Sequence, residues 1–341
     1  MENLLSGVPF DPVLSEGTRN AVQVCLRVHA GEKVTLIADE ASVEIGAAIA
    51  RELEAAGASH RAWVLEKLAR RPLTGMPGEI LDDLELSQVS IFAVVAQANE
   101  LPARMQMTEV VNRRKIRHAH MVNISKEIMC KGMRADYERV DRLSAKILEI
   151  TKNAAQVRAT TPAGTDITAR MNPQYKWLKT SGIIDPNTWG NLPGGEVWTT
   201  PGEVNGTFVV DGVVGDYLCA KYGDLRASPL TLCVKGSRLA EAHCANKELE
   251  DEFWRYTHAD ENSDRVGEFA IGTNIGVRDV IGNILQDEKI PGVHIAFGNP
   301  YGGHTGANWF SSTHIDVVGR NFDIWADGVP IMKSGVFTVS V

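Results

Sequence analysis

Residues 33–65 read KVTLIADEASVEIGAAIARELEAAGASHRAWVL, and this stretch decides the fold of the first half of the chain. Lys33 to Ala38 is a short apolar run, sufficient for a buried strand. From Ser42 to Ala56, Ile45, Ile49 and Leu53 recur at helical spacing and form one stripe. Asp39 and Ser42 offer caps before that helix, and Gly57 ends it. His60 to Leu65 supplies a second strand. Strand, helix and strand in this order predict a β-α-β unit with a right-handed crossover and a parallel strand pair.

The pattern repeats outward from this unit. Ile80 to Leu86 is helical in spacing, and Val89 to Ala96 is a near-continuous apolar run, as expected of a strand covered on both faces. Pro102 to Lys115 reads as a helix and His118 to Ile124 as a strand. Residues 1–153 therefore read as an open α/β domain with a parallel sheet, closed by a helix over Asp136 to Asn153. No GxGxxG follows the first strand and no GxxxxGK[ST] occurs, so nothing in the domain marks a nucleotide site.

Beyond residue 153 the texture changes. Val157 to Arg170 reads as a hairpin turning at Pro162-Ala163-Gly164. Short strand candidates follow at Gly206–Val210, Leu230–Lys235, Gly292–Phe297, His314–Val318 and Phe322–Ala326. Residues 154–341 are expected to form a β-rich α+β domain.

The composition excludes several classes of function. The formal charge of −8 lacks the basic excess of a nucleic-acid binder, and the short basic runs at Arg70-Arg71 and Arg113-Arg114-Lys115 sit among acidic neighbours. Five cysteines without a CxxC pair argue against a disulfide framework and fit a reducing compartment. Cys233 and Cys244 could flank a hairpin. The amino-terminal stretch has no basic segment followed by an apolar one, and no apolar run approaches a membrane span. A cytoplasmic protein is expected, with no membrane or nucleic-acid partner.

The chemistry concentrates between Asn191 and Asp316. His314 and Asp316 form an HxD on a strand, where side chains two apart share a face and can hold one ion from one rigid element. His294 lies on another short strand among apolar neighbours and by itself fits a core histidine better than a ligand. Glu268, between Gly267 and Phe269, is a carboxylate that is costly to bury unless it is paired or metal-bound. Glu196 follows Gly194-Gly195, which let the backbone approach a site closely. Three carboxylates and two histidines suit a two-metal hydrolytic site. Paired ions would sit about 3.5–4 Å apart, lower the pKa of bound water and polarise the scissile carbonyl.

The runs NLPGGEVWTTP, GEFAIGTN, EKIPGVHIAFGNPY and HID, in this order, resemble the aminopeptidase T family of thermophilic metallo-aminopeptidases, which includes AmpS and PepS. The resemblance covers roughly residues 160–341 with dense motifs and the first domain more loosely; family members are longer chains. It implies that Glu196, Glu268, His294, His314 and Asp316 are metal ligands, and that Glu196 and Tyr301, the latter seven residues past His294, are catalytic. It also implies two divalent ions (zinc, cobalt or manganese), a small peptide or amide substrate, a homodimer, and Tyr301 as hydrogen-bond donor to the oxyanion. His304, in the glycine-rich segment 302–306, reads as an exposed loop histidine rather than a substrate contact.

A second reading starts from the same superfamily, which includes 2,5-dihydroxypyridine 5,6-dioxygenase, a mononuclear iron(II) enzyme. There a histidine stands where this chain has Glu268 and completes a 2-His-1-carboxylate triad. Glu268 therefore favours the hydrolase.

Overall fold

A computed structural model describes residue 5, residues 7–186 and residues 189–340. The amino-terminal positions 1–4 and 6, part of the stretch read for a leader, lie outside the described residues. The chain divides into two compact units, Met1–Glu138 with Gly182–Gly194, and Arg139–Ser181 with Gly195–Val341.

The first unit is the expected open α/β domain. Strands β1 (Lys33–Ala38), β2 (Ser59–Val64), β3 (Val89–Val94) and β4 (Arg117–Val122) pair in parallel in the order β2-β1-β3-β4. Helices Val43–Ala55, Gly78–Glu85 and Leu101–Arg114 connect them. Each lies within two residues of its sequence-based expectation, because a 3.6-residue stripe and an unbroken apolar run are locally decisive. Ser42 does not cap its helix by a side-chain bond. Its hydroxyl instead donates to the Ala93 carbonyl at 2.6 Å, while Asp39 accepts from the Ser42 backbone N–H at 2.8 Å. This pins the β1 exit to the end of β3. Arg71, with a side chain 4% exposed, fills that end by pairing with Asp39, Glu66 and Glu100. The apolar residues below, including Ile37, Trp63, Leu84, Phe92 and Met107, form one buried cluster.

The unit boundaries differ from those expected from sequence. The helix Tyr137–Thr151 belongs to the second unit from Arg139 onward, not to the first. Leu143 and Ile147 on its apolar stripe pack into the second unit's core. Residues 182–194, assigned by sequence to the second domain, join the first unit. The two-residue strand Gly190–Asn191 pairs in parallel with the edge of β4. A pairing of two residues leaves no periodicity to read.

The second unit holds two antiparallel sheets. The larger contains the hairpin strands Gln156–Thr160 and Asp166–Arg170, then Glu203–Val210, Leu230–Lys235, Arg238–Cys244, Asp323–Ala326, Val329–Lys333 and Val336–Phe337. Cys233 and Cys244 sit on adjacent strands but face Glu241 and Leu230, and both are free thiols. The smaller sheet contains β5 (Leu178–Lys179), β6 (Glu196–Thr199), β7 (Val266–Gly272), β8 (Gly292–Gly298) and β9 (His314–Val318), in the order β9-β8-β7-β6-β5. Val197, Phe269, Ile271, Val293, Ile295, Phe297, Ile315 and Val317 share one core with Val157, Ile167, Phe208 and Leu232 of the larger sheet. Among the described residues no helix is long and apolar enough to cross a membrane.

Candidate metal centre

Side chains alternate along a strand, so the residues between those core positions face the other way. They are Glu196 and Trp198 on β6, Glu268 and Ala270 on β7, His294 and Ala296 on β8, and His314 and Asp316 on β9. Four strands thus place every ligand expected from sequence on one face of one sheet. The register completes the arrangement. Ala296 lies opposite Glu268 on one side and Asp316 on the other, and Ala270 lies opposite both Trp198 and His294. Two alanines leave the space that a longer side chain would fill.

Glu268 reaches this face through a β-bulge. The register between β7 and β8 shifts between Val266 and Glu268. Val266 belongs to the core, as do Phe269 and Ile271, so the alternation changes phase at Gly267. An extra residue in one strand re-aims the side chains that follow it. A Cβ at Gly267 would meet the Gly298 carbonyl oxygen at 2.6 Å, so the bulge needs glycine.

The donor atoms form two groups that share Glu268. His294 Nε2 lies 3.4 Å from Glu268 Oε1 and 3.5 Å from Glu196 Oε2. His314 Nε2 lies 3.6 Å from Glu268 Oε2 and 3.5 Å from Asp316 Oδ1. Donors about 2.0–2.1 Å from a tetrahedral ion are separated by roughly 3.4 Å. Glu196, Glu268 and His294, whose donor atoms all lie within 4.8 Å of one another, have the spacing of a ligand set, and His314 links Glu268 to Asp316 beside them. Both ring nitrogens of His294 are buried without a hydrogen-bond partner, an arrangement that costs free energy unless a cation takes the lone pair. The donor set fits a divalent metal ion.

The surroundings tune these groups. The Nδ1 of His314 donates to the Asn299 carbonyl oxygen at 3.0 Å, which leaves Nε2 to face Glu268 and Asp316 with its lone pair. Burial penalises the carboxylate of Asp316, but His314 outweighs it and holds the pKa down to about 2. Burial pulls both imidazoles down, and the surrounding anionic groups reverse the shift, so His294 and His314 are raised.

Tyr301 adopts a left-handed backbone (φ 48°) at the head of a short turn, Gly302–Thr305. Its backbone N–H donates to Asn299 Oδ1 at 2.9 Å, and its ring centroid lies 4.5 Å from that of His314. It is 43% exposed, at the rim of the site. His304 is exposed in the same turn.

Three residues at this site were not identified from sequence: Thr180, Glu288 and Lys289. The Lys289 side chain is 2% exposed, with Nζ 2.7 Å from Glu196 Oε1 and in contact with Glu288. The Thr180 hydroxyl donates to the same Glu196 oxygen at 2.8 Å. Burial raises the pKa of Glu288 to about 8. The pair Glu288-Lys289 reads in sequence like any surface ion pair; only the burial of Lys289 distinguishes it.

No curated protein matches the chain significantly. Among solved structures, wild-type AmpT from Thermus thermophilus superposes with a TM-score of 0.71 at 17% identity, covering 97% of this chain and 100% of that one. The 2,5-dihydroxypyridine dioxygenase from Pseudomonas putida KT2440 gives 0.70 at 16% identity, covering 97% and 99%. At these identities the likeness concerns the fold, and the fold does not choose between their reactions. The sequence pattern of the thermophilic metalloproteases (M29) matches residues 131–324, more than half of the chain and a span that contains Glu196, Glu268, His294, His314 and Asp316. The chain belongs to the thermophilic metalloprotease (M29) family, in agreement with the resemblance carried by its motifs, and is a metallopeptidase.

Proposed function

We propose that the chain is an aminopeptidase that releases the N-terminal residue of a small peptide, or hydrolyses a related small amide, with two divalent ions held by Glu196, Glu268, His294, His314 and Asp316. The observation that carries this reading is the sharing of Glu268 between the two donor groups, one oxygen at 3.4 Å from His294 and the other at 3.6 Å from His314. A carboxylate with an imidazole on each side is suited to bridging two ions. When bound, such ions supply Lewis-acid polarisation and a water of lowered pKa.

The chain's own groups do the remainder. In this reading Tyr301 donates a hydrogen bond from its hydroxyl to the carbonyl oxygen as negative charge develops, a role supported by its ring packing against His314 at the rim. The glutamate at 268 argues against a mononuclear iron(II) site, where a third neutral donor beside the HxD pair is the usual arrangement.

The test is elemental analysis after equilibration with zinc, cobalt or manganese, followed by assays on amino-acid amides, dipeptides and 2,5-dihydroxypyridine. Close to two ions per chain and amine release from amides or dipeptides are expected. One tightly held iron with oxygen uptake on the hydroxypyridine would sink the reading.

A further inference from the structure

We infer that Lys289 is a positioning residue of the metal centre, an internal cation that fixes Glu196 as a one-oxygen ligand and takes the place that a third ion would otherwise claim between Glu196 and Glu288. The inference rests on the metal reading above and concerns how many ions the site accepts.

The two oxygens of Glu196 have different surroundings. Oε1 receives the Lys289 ammonium at 2.7 Å and the Thr180 hydroxyl at 2.8 Å. Oε2 has neither and faces His294 Nε2 at 3.5 Å. One oxygen is therefore committed and the other is left for an ion. The carboxylate, 8% exposed, cannot turn to present both without breaking two hydrogen bonds.

Glu288 extends the argument. The same ammonium contacts both carboxylates, and the Glu288 side chain is 12% exposed. Two carboxylates that share a cation with little water nearby resemble half of an oxygen-rich cation site. Lysine at 289 satisfies that site with a single, covalently attached charge. A buried ammonium is retained only when it is paired, and here the pairing uses the oxygens that would otherwise recruit an ion.

Lys289→Met keeps the length of the side chain and removes the charge. Wild type and variant are each dialysed to equilibrium against cobalt at pH 8, and ions per chain are counted by elemental analysis, with circular dichroism as the control for folding. Wild type is expected to stop at two ions, Lys289→Met to take up a third, and Lys289→Arg to return to two. If Lys289→Met fails to fold, Lys289→Gln, which keeps an N–H donor without the charge, carries the same expectation. Unchanged stoichiometry in the folded neutral variant would overturn the inference, as would a third ion in wild type. Wild type binding fewer than two ions would instead defeat the two-ion reading beneath it.

Discussion

Gly195 and Asn274 approach so closely that no side chain fits between them. A Cβ on Gly195 would stand 2.6 Å from Asn274 Cβ and 2.8 Å from its backbone nitrogen, and the glycine holds φ +125°, a region L-residues rarely adopt. The contact sets where β6 begins, and hence where Glu196 stands. Gly195→Ala is expected to cost about 1–3 kcal/mol of stability through overpacking and backbone strain. It should also weaken metal uptake at least tenfold, since a displaced Glu196 no longer faces His294. Thermal unfolding and a zinc titration of the same preparation measure both effects; normal metal affinity would show that Glu196 is not positioned from this point.

Ala296 lies opposite both Glu268 and Asp316 and is fully buried. Ala296→Leu should fill the space between the two carboxylates and abolish metal binding. Because the core-facing neighbours Ile295 and Phe297 are untouched, the variant should remain folded. Elemental analysis together with near-UV circular dichroism separates the two effects.

Glu268→Gln keeps the shape of the side chain and removes the shared negative charge. Turnover and the binding of the second ion should both be lost, with secondary structure unchanged. Retained activity would remove Glu268 from direct contact with metal. Tyr301→Phe should instead lower kcat by about 10²–10³-fold with little change in KM, the effect expected for loss of an oxyanion donor. A change confined to KM would reassign Tyr301 to substrate binding.

The first unit should be acid-labile for a reason unrelated to the metal site. His118 is fully buried, hydrogen-bonded through Nδ1 to Ser90 Oγ at 2.8 Å and through Nε2 to His120 Nδ1 at 3.2 Å. Burial lowers its pKa from 6.5 to about 3. Below pH 6.5 the unfolded chain takes up a proton that the folded chain refuses until about pH 3, so stability falls as pH falls across that window. The slope is about 1.4 kcal/mol per pH unit per histidine. Burial also lowers the pKa of His120, which adds in the same direction. Urea unfolding between pH 7 and 5 should show this slope, and His118→Gln should flatten it; equal slopes would assign the acid sensitivity elsewhere.

The sequence by itself determined the parallel α/β half, because helices such as Val43–Ala55 and strands such as Val89–Val94 announce themselves through local periodicity and burial on both faces. It also nominated the residues of the proposed metal centre. His314 and Asp316 share a face by strand geometry, and the motif runs named Glu196, Glu268, His294 and Tyr301. Tertiary structure decided what pairing across distant segments decides. The two-residue strand Gly190–Asn191 is held by β4 rather than by its own sequence, and the helix after residue 136 is assigned by the core it packs against. The phase change at Gly267 turns Glu268 toward the site, although an uninterrupted strand would place it on the face of Val266. The role of Lys289 emerges only when β6 and the segment before β8 come together, because a lysine beside a glutamate becomes part of a metal centre only where solvent is excluded from both.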